Sequence, residues 1–268
     1  MNKTAIIWIL SVVITLASVI YQRLTGPTHP VSGSVEINGE NIEYKLLRTF
    51  DTVSDAEMII EVINQNVTGE IAWKRFKSRD TLLTEPLPRK GDNLIVTIPK
   101  QPMAGKVIYQ VALIDESGAK YNLTDKPIII RFKGPVPLYV LIFHITFMFG
   151  GMLLATRTGF EAIFRRNNIY RLTVLTSVFI FLGGIIFGPI VQKFAFDAFW
   201  TGWPLGHDLT DNKTAVALIF WLIALWRLRK NKDERKSVIV ASAVTFIIFL
   251  IPHSVLGSEI DYTKIEQP

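Results

Sequence analysis

Apolar runs near the length of a bilayer crossing constrain this chain more than any other feature. They lie at residues 5–21, 137–156, 172–191, 214–226 and 237–252. In hydrocarbon every backbone N–H and C=O must be satisfied inside the segment, so a crossing run is a helix, and about 20 residues are needed. Five spanning helices are therefore expected. The last two runs hold thirteen and sixteen residues. Their ends must borrow length from polar flanks or pack against neighbouring helices.

Orientation follows from the basic residues, which short cytoplasmic loops retain. One inter-run segment carries Arg157, Arg165, Arg166 and Arg171, and another carries Arg227, Arg229, Lys230, Lys232, Arg235 and Lys236. The connection 192–213 carries only Lys193 and Lys213. This pattern predicts an inside N-terminus and an outside C-terminus. The region between the first two runs balances fourteen basic against fourteen acidic residues over 27–135. The net charge of +6 is thus a topology signal that meets anionic lipid, and no nucleic-acid partner is expected.

The first run follows Lys3 and ends near Tyr21 and Arg23. A cleaved signal peptide is one reading of it; an uncleaved anchor is preferred, since no small-x-small cleavage site follows. The chain has no cysteine, which removes disulfides, thiolate metal sites and a lipid-anchored cysteine together.

Residues 31–133 alternate apolar and polar side chains in short runs between turn residues, the signature of β-strands. Val35 and Ile37 lead into Asn38-Gly39, a dipeptide that accepts the positive φ angles of a tight hairpin, and Ile42, Tyr44 and Leu46 then share one face. Further strands are expected at 57–63, 69–77, 93–99, 105–114 and 127–132. Seven or eight strands in about a hundred residues predict a sandwich. Ile98-Pro99, the run Gly105 to Val111, Asp115-Glu116-Ser117-Gly118 and the upstream Trp73-Lys74-Arg75-Phe76 resemble strands of extracytoplasmic immunoglobulin-like or fibronectin-type-III-like modules. That resemblance implies binding or spacing of other proteins or glycans, and no catalytic residues. Lys74, Arg75, Lys77 and Arg79 beside Trp73 and Phe76 read as a solvated sheet face or as a basic aromatic surface for an anionic partner.

Chemistry-bearing side chains gather toward the predicted outer side. His144 lies about 10 Å into the second run at 1.5 Å per residue, His207 in the loop before the fourth, and His253 just past the fifth. Asp208, Asp211 and Glu259 are placed to complete or orient a transition-metal shell around these imidazoles, and two histidines on different helices are able to hold a haem iron. The competing reading is a helix-to-helix hydrogen bond for His144, interfacial side chains for His207 and His253, and helix capping by Asp208 or Asp211. No established metal or haem spacing, nucleotide loop or hydrolase elbow occurs. Gly184 and Gly188, with Gly183 adjoining, mark a face for close helix packing, and Pro189 is expected to stop or kink that helix. The loop 192–213 and the segment 252–262 are expected to meet.

Taken whole, with Phe187-Gly188-Pro189-Ile190-Val191 and Trp203-Pro204-Leu205-Gly206-His207-Asp208 as its recognisable parts, the chain is similar to a class of bacterial cytoplasmic-membrane proteins in which an immunoglobulin-like outer domain precedes a small helical bundle. That likeness brings no activity with it. The expected organisation is an anchor at 1–26, an extracytoplasmic β-sandwich at 27–135, a four-helix transmembrane region at 136–253 and an extracytoplasmic tail at 254–268. The functional expectation is a non-enzymatic binding or assembly module with a protein partner on the sandwich. The alternative is a membrane redox, haem- or metal-handling protein.

Overall fold

The computed structural model describes residues 2–252 and 257–265. The chain forms two compact units: Met1–Pro27 with Val136–Ser258, and Thr28–Pro135 with the tail that follows Ser258.

In the helical unit, α1 (Lys3–Thr25) is capped by Asn2, whose side chain accepts from the Thr4 amide. The other helices are α2 (Leu138–Ile163), α3 (Ile169–Ile180), α4 (Gly188–Phe196), α5 (Leu209–Lys230) and α6 (Lys236–Leu250). Four helical segments are long and apolar enough to cross a membrane: Lys3–Thr25, Leu138–Ile163, Ile169–Phe196 and Leu209–Lys230. The fifth expected span, α6, holds 15 residues.

The fourth span differs from the sequence expectation. Apolar patterning alone gives thirteen residues, yet α5 runs for 22. Asp208 caps its start, so Asp211, Asn212 and Lys213 stand in the helix rather than in the loop. Pro189 also does not end its helix. It sits in the first turn of α4, directly after a seven-residue π-helical stretch, Phe181–Phe187. That stretch absorbs the register change that proline would otherwise force as a break.

Small and hydroxyl side chains line the helix contacts. Ser11, Thr15 and Ser18 form the buried stripe of α1, and Ser11 and Thr15 return their hydroxyls to carbonyls four residues back. Between α2 and the π stretch, Phe147 stacks on Phe187 with centroids 5.7 Å apart and meets Phe179 edge-on at 5.3 Å. A Cβ on Gly183 would lie 2.9 Å from the Met148 amide nitrogen, and one on Gly184 would lie 2.1 Å from Thr214 Cγ2. These glycines therefore set how closely α2 and α5 approach the π stretch. At the other end of α2 the Glu161 carboxylate is fully buried. It accepts from Arg157 at 2.6 Å and from the Asn168 amide at 2.9 Å.

The second unit is β-rich. The hairpin pairs β1 (Val31–Ile37) with β2 (Glu40–Leu46), turning at Asn38 and Gly39, whose φ angles are 53° and 80°. The largest sheet orders β3 (Thr49–Asp51), β11 (Ile128–Lys133), β9 (Lys106–Ile114), β5 (Thr68–Arg75) and β6 (Leu83–Pro86), with β10 (Lys120–Asn122) on β9. A third sheet orders β4 (Ala56–Glu61), β8 (Asn93–Ile98) and β7 (Arg89–Lys90). The five longer strands predicted after the hairpin are present within one or two residues of their expected bounds. The shorter β3, β6, β7 and β10 lack the alternation that would reveal them. All three sheets feed one core, with Ile42, Leu46, Ile60, Val96, Val107, Val111, Ile130 and Phe132 at its centre.

Candidate functional site

In the helical unit, the loop before α5 is closed by its own acids. The Asp208 carboxylate accepts from the Thr210 amide at 2.8 Å and, through its other oxygen, from the Ser258 amide at 2.9 Å. Asp211 accepts the amides of Thr201 and Gly202 at 2.7 and 3.0 Å. Thr201 Oγ1 joins Ser258 Oγ at 2.8 Å, so loop and tail meet at Ser258. Lys213 donates to the Ile251 carbonyl at 2.8 Å, which ties the start of α5 to the end of α6. Of the two capping candidates, Asp208 holds the cap, and Asp211 binds the loop that leads to it.

His144 is held differently. Its Nδ1 lies 2.9 Å from the Gly183 carbonyl, and a carbonyl only accepts, so Nδ1 carries the proton. That carbonyl also receives the Gly188 amide, the bond of a π-helical turn. A neutral ring fixed this way keeps its lone pair on Nε2.

The members of the expected set stand in different settings. His207 is exposed, and His253 lies outside the described residues. Glu259 belongs to the β-rich unit. Among the described residues, no group of three histidine, aspartate or glutamate side chains stands close enough to hold a metal ion.

Glu259 instead anchors the chain's tail on the β-rich unit. It pairs with Lys77 and Lys106, and Tyr262 lies under the Arg75 guanidinium, 4.5 Å from ring centre to Cζ. The Thr263 amide donates to the Lys77 carbonyl at 3.1 Å, and the Ile260 amide to the Ala104 carbonyl at 3.2 Å. Burial alone would raise the Glu259 carboxyl, but the hydrogen bonds and charges of Lys106 and Lys77 outweigh it and hold the group below the usual range. Lys77 is raised by the same carboxylate. The basic aromatic strand thus carries residues 259–265 of its own chain. Arg75 is also forked onto Asp80 at 2.8 Å, and that bond brings the Asp80 carboxyl down to about 2.

An open groove of about 960 Å³ lies elsewhere on this unit, between the β1–β2 hairpin and β4. Ser32, Ser34, Glu43 and Lys45 line it from the hairpin, and Ile59, Glu61 and Ile63 from β4 and its continuation. No ladder joins β2 to β4. At one end the Glu40 carboxylate bridges them instead, accepting the amides of Ile63 and Asn64 at 2.7 and 3.0 Å. Met58, Ile60 and Val62 point into the core, which leaves Ile59 and Ile63 in the outward register, 63% and 65% exposed. A signal for them exists in the sequence: two isoleucines at positions where alternation calls for polar residues, in register with Glu57 and Glu61.

No protein-family model matches this chain, and a comparison with curated proteins finds no match.

Proposed function

We propose that this is an integral membrane protein that works as a non-enzymatic binding or assembly module. Its β-rich unit, read as an immunoglobulin-like sandwich outside the cytoplasmic membrane of a bacterium, captures a protein partner while the helices anchor it. The observation that carries this reading is the groove beside β4. It is open and sizeable, and it presents two isoleucines to solvent where a sheet face normally carries polar side chains. The basic loops after α2 and α5 support an inside N-terminus and an outer position for the β-rich unit and the tail.

A second reading, a redox, haem- or metal-handling protein, has one specific observation in its favour. The bond to Gly183 leaves the His144 Nε2 lone pair available for a ligand. The two readings separate in one experiment. The full chain with His144, His207 and His253 all replaced by alanine, in mild detergent, is expected to retain partner capture. Loss of capture together with loss of a Soret band or of stoichiometric metal would transfer the function to the histidines.

A further inference from the structure

We propose that the groove beside β4 takes an extended, cationic segment of a partner protein, with Lys or Arg alternating with apolar side chains. The inference rests on the binding reading above and adds the site and the chemistry of its ligand.

Charge is segregated on this unit although its total is balanced. The outward residues of β1, β2 and β4 include Glu36, Glu43, Glu57 and Glu61, all exposed, against Lys45 alone. Among the described residues none of these four glutamates forms an ion pair. Elsewhere on the unit some acids are paired, Asp51 with Lys133, Glu70 with Lys120 and Asp80 with Arg75, whereas the rim gathers four glutamates on adjacent outward strand positions with one lysine among them. An acidic rim gathered on one face of a domain whose total charge is balanced leaves the local counter-charge to come from another molecule.

The apolar part of the groove selects among cations. A metal ion or a polyamine makes no use of Ile59 and Ile63. A strand-like segment does, because its side chains alternate: one set lies along the isoleucines while the other reaches Glu43 and Glu61.

The test uses the full chain in a non-ionic detergent and capped octapeptides as probes, read by calorimetry. An alternating Lys–Val peptide is expected to bind, with affinity falling as salt rises, while Lys–Ser and Glu–Val peptides bind at least roughly tenfold more weakly. Replacing Glu43, Glu57 and Glu61 by glutamine together is expected to cost roughly tenfold or more, since each exposed pair contributes only a few-fold. Ile59→Ser with Ile63→Ser is expected to cost a similar factor. Glu43→Lys with Glu61→Lys should reverse the preference toward Glu–Val, an effect that misfolding does not produce. Equal binding of Lys–Ser and Lys–Val, or Lys–Val binding unchanged in both groove variants, overturns the proposal. So does self-association of the chain that the groove variants abolish while no peptide binds, because the occupant would then be a second copy. Each of these results leaves capture of a partner elsewhere on the β-rich unit standing, so the binding reading fails only on its own test.

Discussion

Removing the Glu161 carboxylate should destabilise the helical unit more than any other single side-chain truncation considered. The group has no solvent exposure and Arg157 has 3%. Glu161 accepts from Arg157 at 2.6 Å and from the Asn168 amide, while Arg166 Nε stands 3.5 Å away. Without it, the contact left to Arg157 among the described residues is the face of Trp8, 5.3 Å from its ring centre. Breaking a buried pair from one side costs about 3–5 kcal/mol, because the remaining charge stays buried without a partner. At about 1.4 kcal/mol per tenfold, the folded-to-unfolded ratio of Glu161→Ala should fall by two to three orders of magnitude or slightly more. Reversible unfolding by SDS titration in mixed micelles measures it. The double variant Arg157→Met, Glu161→Leu removes both charges and should recover most of the loss, since apolar replacement of a whole buried pair is often neutral or stabilising. A single-variant cost under about 1 kcal/mol, the range of a solvated surface pair, would refute the reasoning.

Three further outcomes are expected. Gly184→Ala drives its Cβ to 2.1 Å from Thr214 Cγ2 and should cost about 1–3 kcal/mol by overpacking; Thr214→Ser, which removes that methyl and keeps the hydroxyl bonded to the Thr210 carbonyl, should restore most of it in the same titration. Asp208→Ala loses the cap of α5 and the tie to Ser258 together, about 1–3 kcal/mol, and should raise amide exchange at 257–259 by mass spectrometry. Asp80 has its folded pKa depressed from 3.8 to about 2, chiefly by the hydrogen bond from Arg75. Its contribution is therefore complete above pH 3.8 and disappears as pH falls through about 2. Exchange protection of the β5 and β6 amides should exceed that of Asp80→Asn at pH 6, and the difference should close toward pH 2; a difference that widens on acidification would overturn the assignment.

What the sequence made legible follows from which forces are local. Apolar run length located the four helices that are long and apolar enough to cross a membrane, and Asn38-Gly39 located the hairpin, because local composition sets both. The bounds of the fourth span were not legible. Asp211 and Lys213 look like loop residues until their partners, the Thr201 and Gly202 amides and the Ile251 carbonyl, are known. The π stretch is likewise invisible in Phe181–Phe187, whose side chains are those of an ordinary span. Sequence order predicts the three histidines on one side of a membrane, but it does not specify which carbonyl or cation each side chain finds. His144 turns to Gly183, and Glu259 turns to Lys77 and Lys106. The groove depends on β2 and β4 lying side by side without a ladder. Only its outward isoleucines, out of step with the alternation of β4, announce it beforehand.

The central claim, capture of a protein by the groove, is tested most directly by photo-crosslinking in intact cells. A benzophenone amino acid would stand at Ile59, at Ile63 or, as controls, at the exposed Glu116 and Lys126. The account predicts a discrete protein adduct from positions 59 and 63, lost when Glu43 and Glu61 are changed to lysine, and no such adduct from 116 or 126. No adduct from the groove, or the same adduct from all four positions, would contradict it.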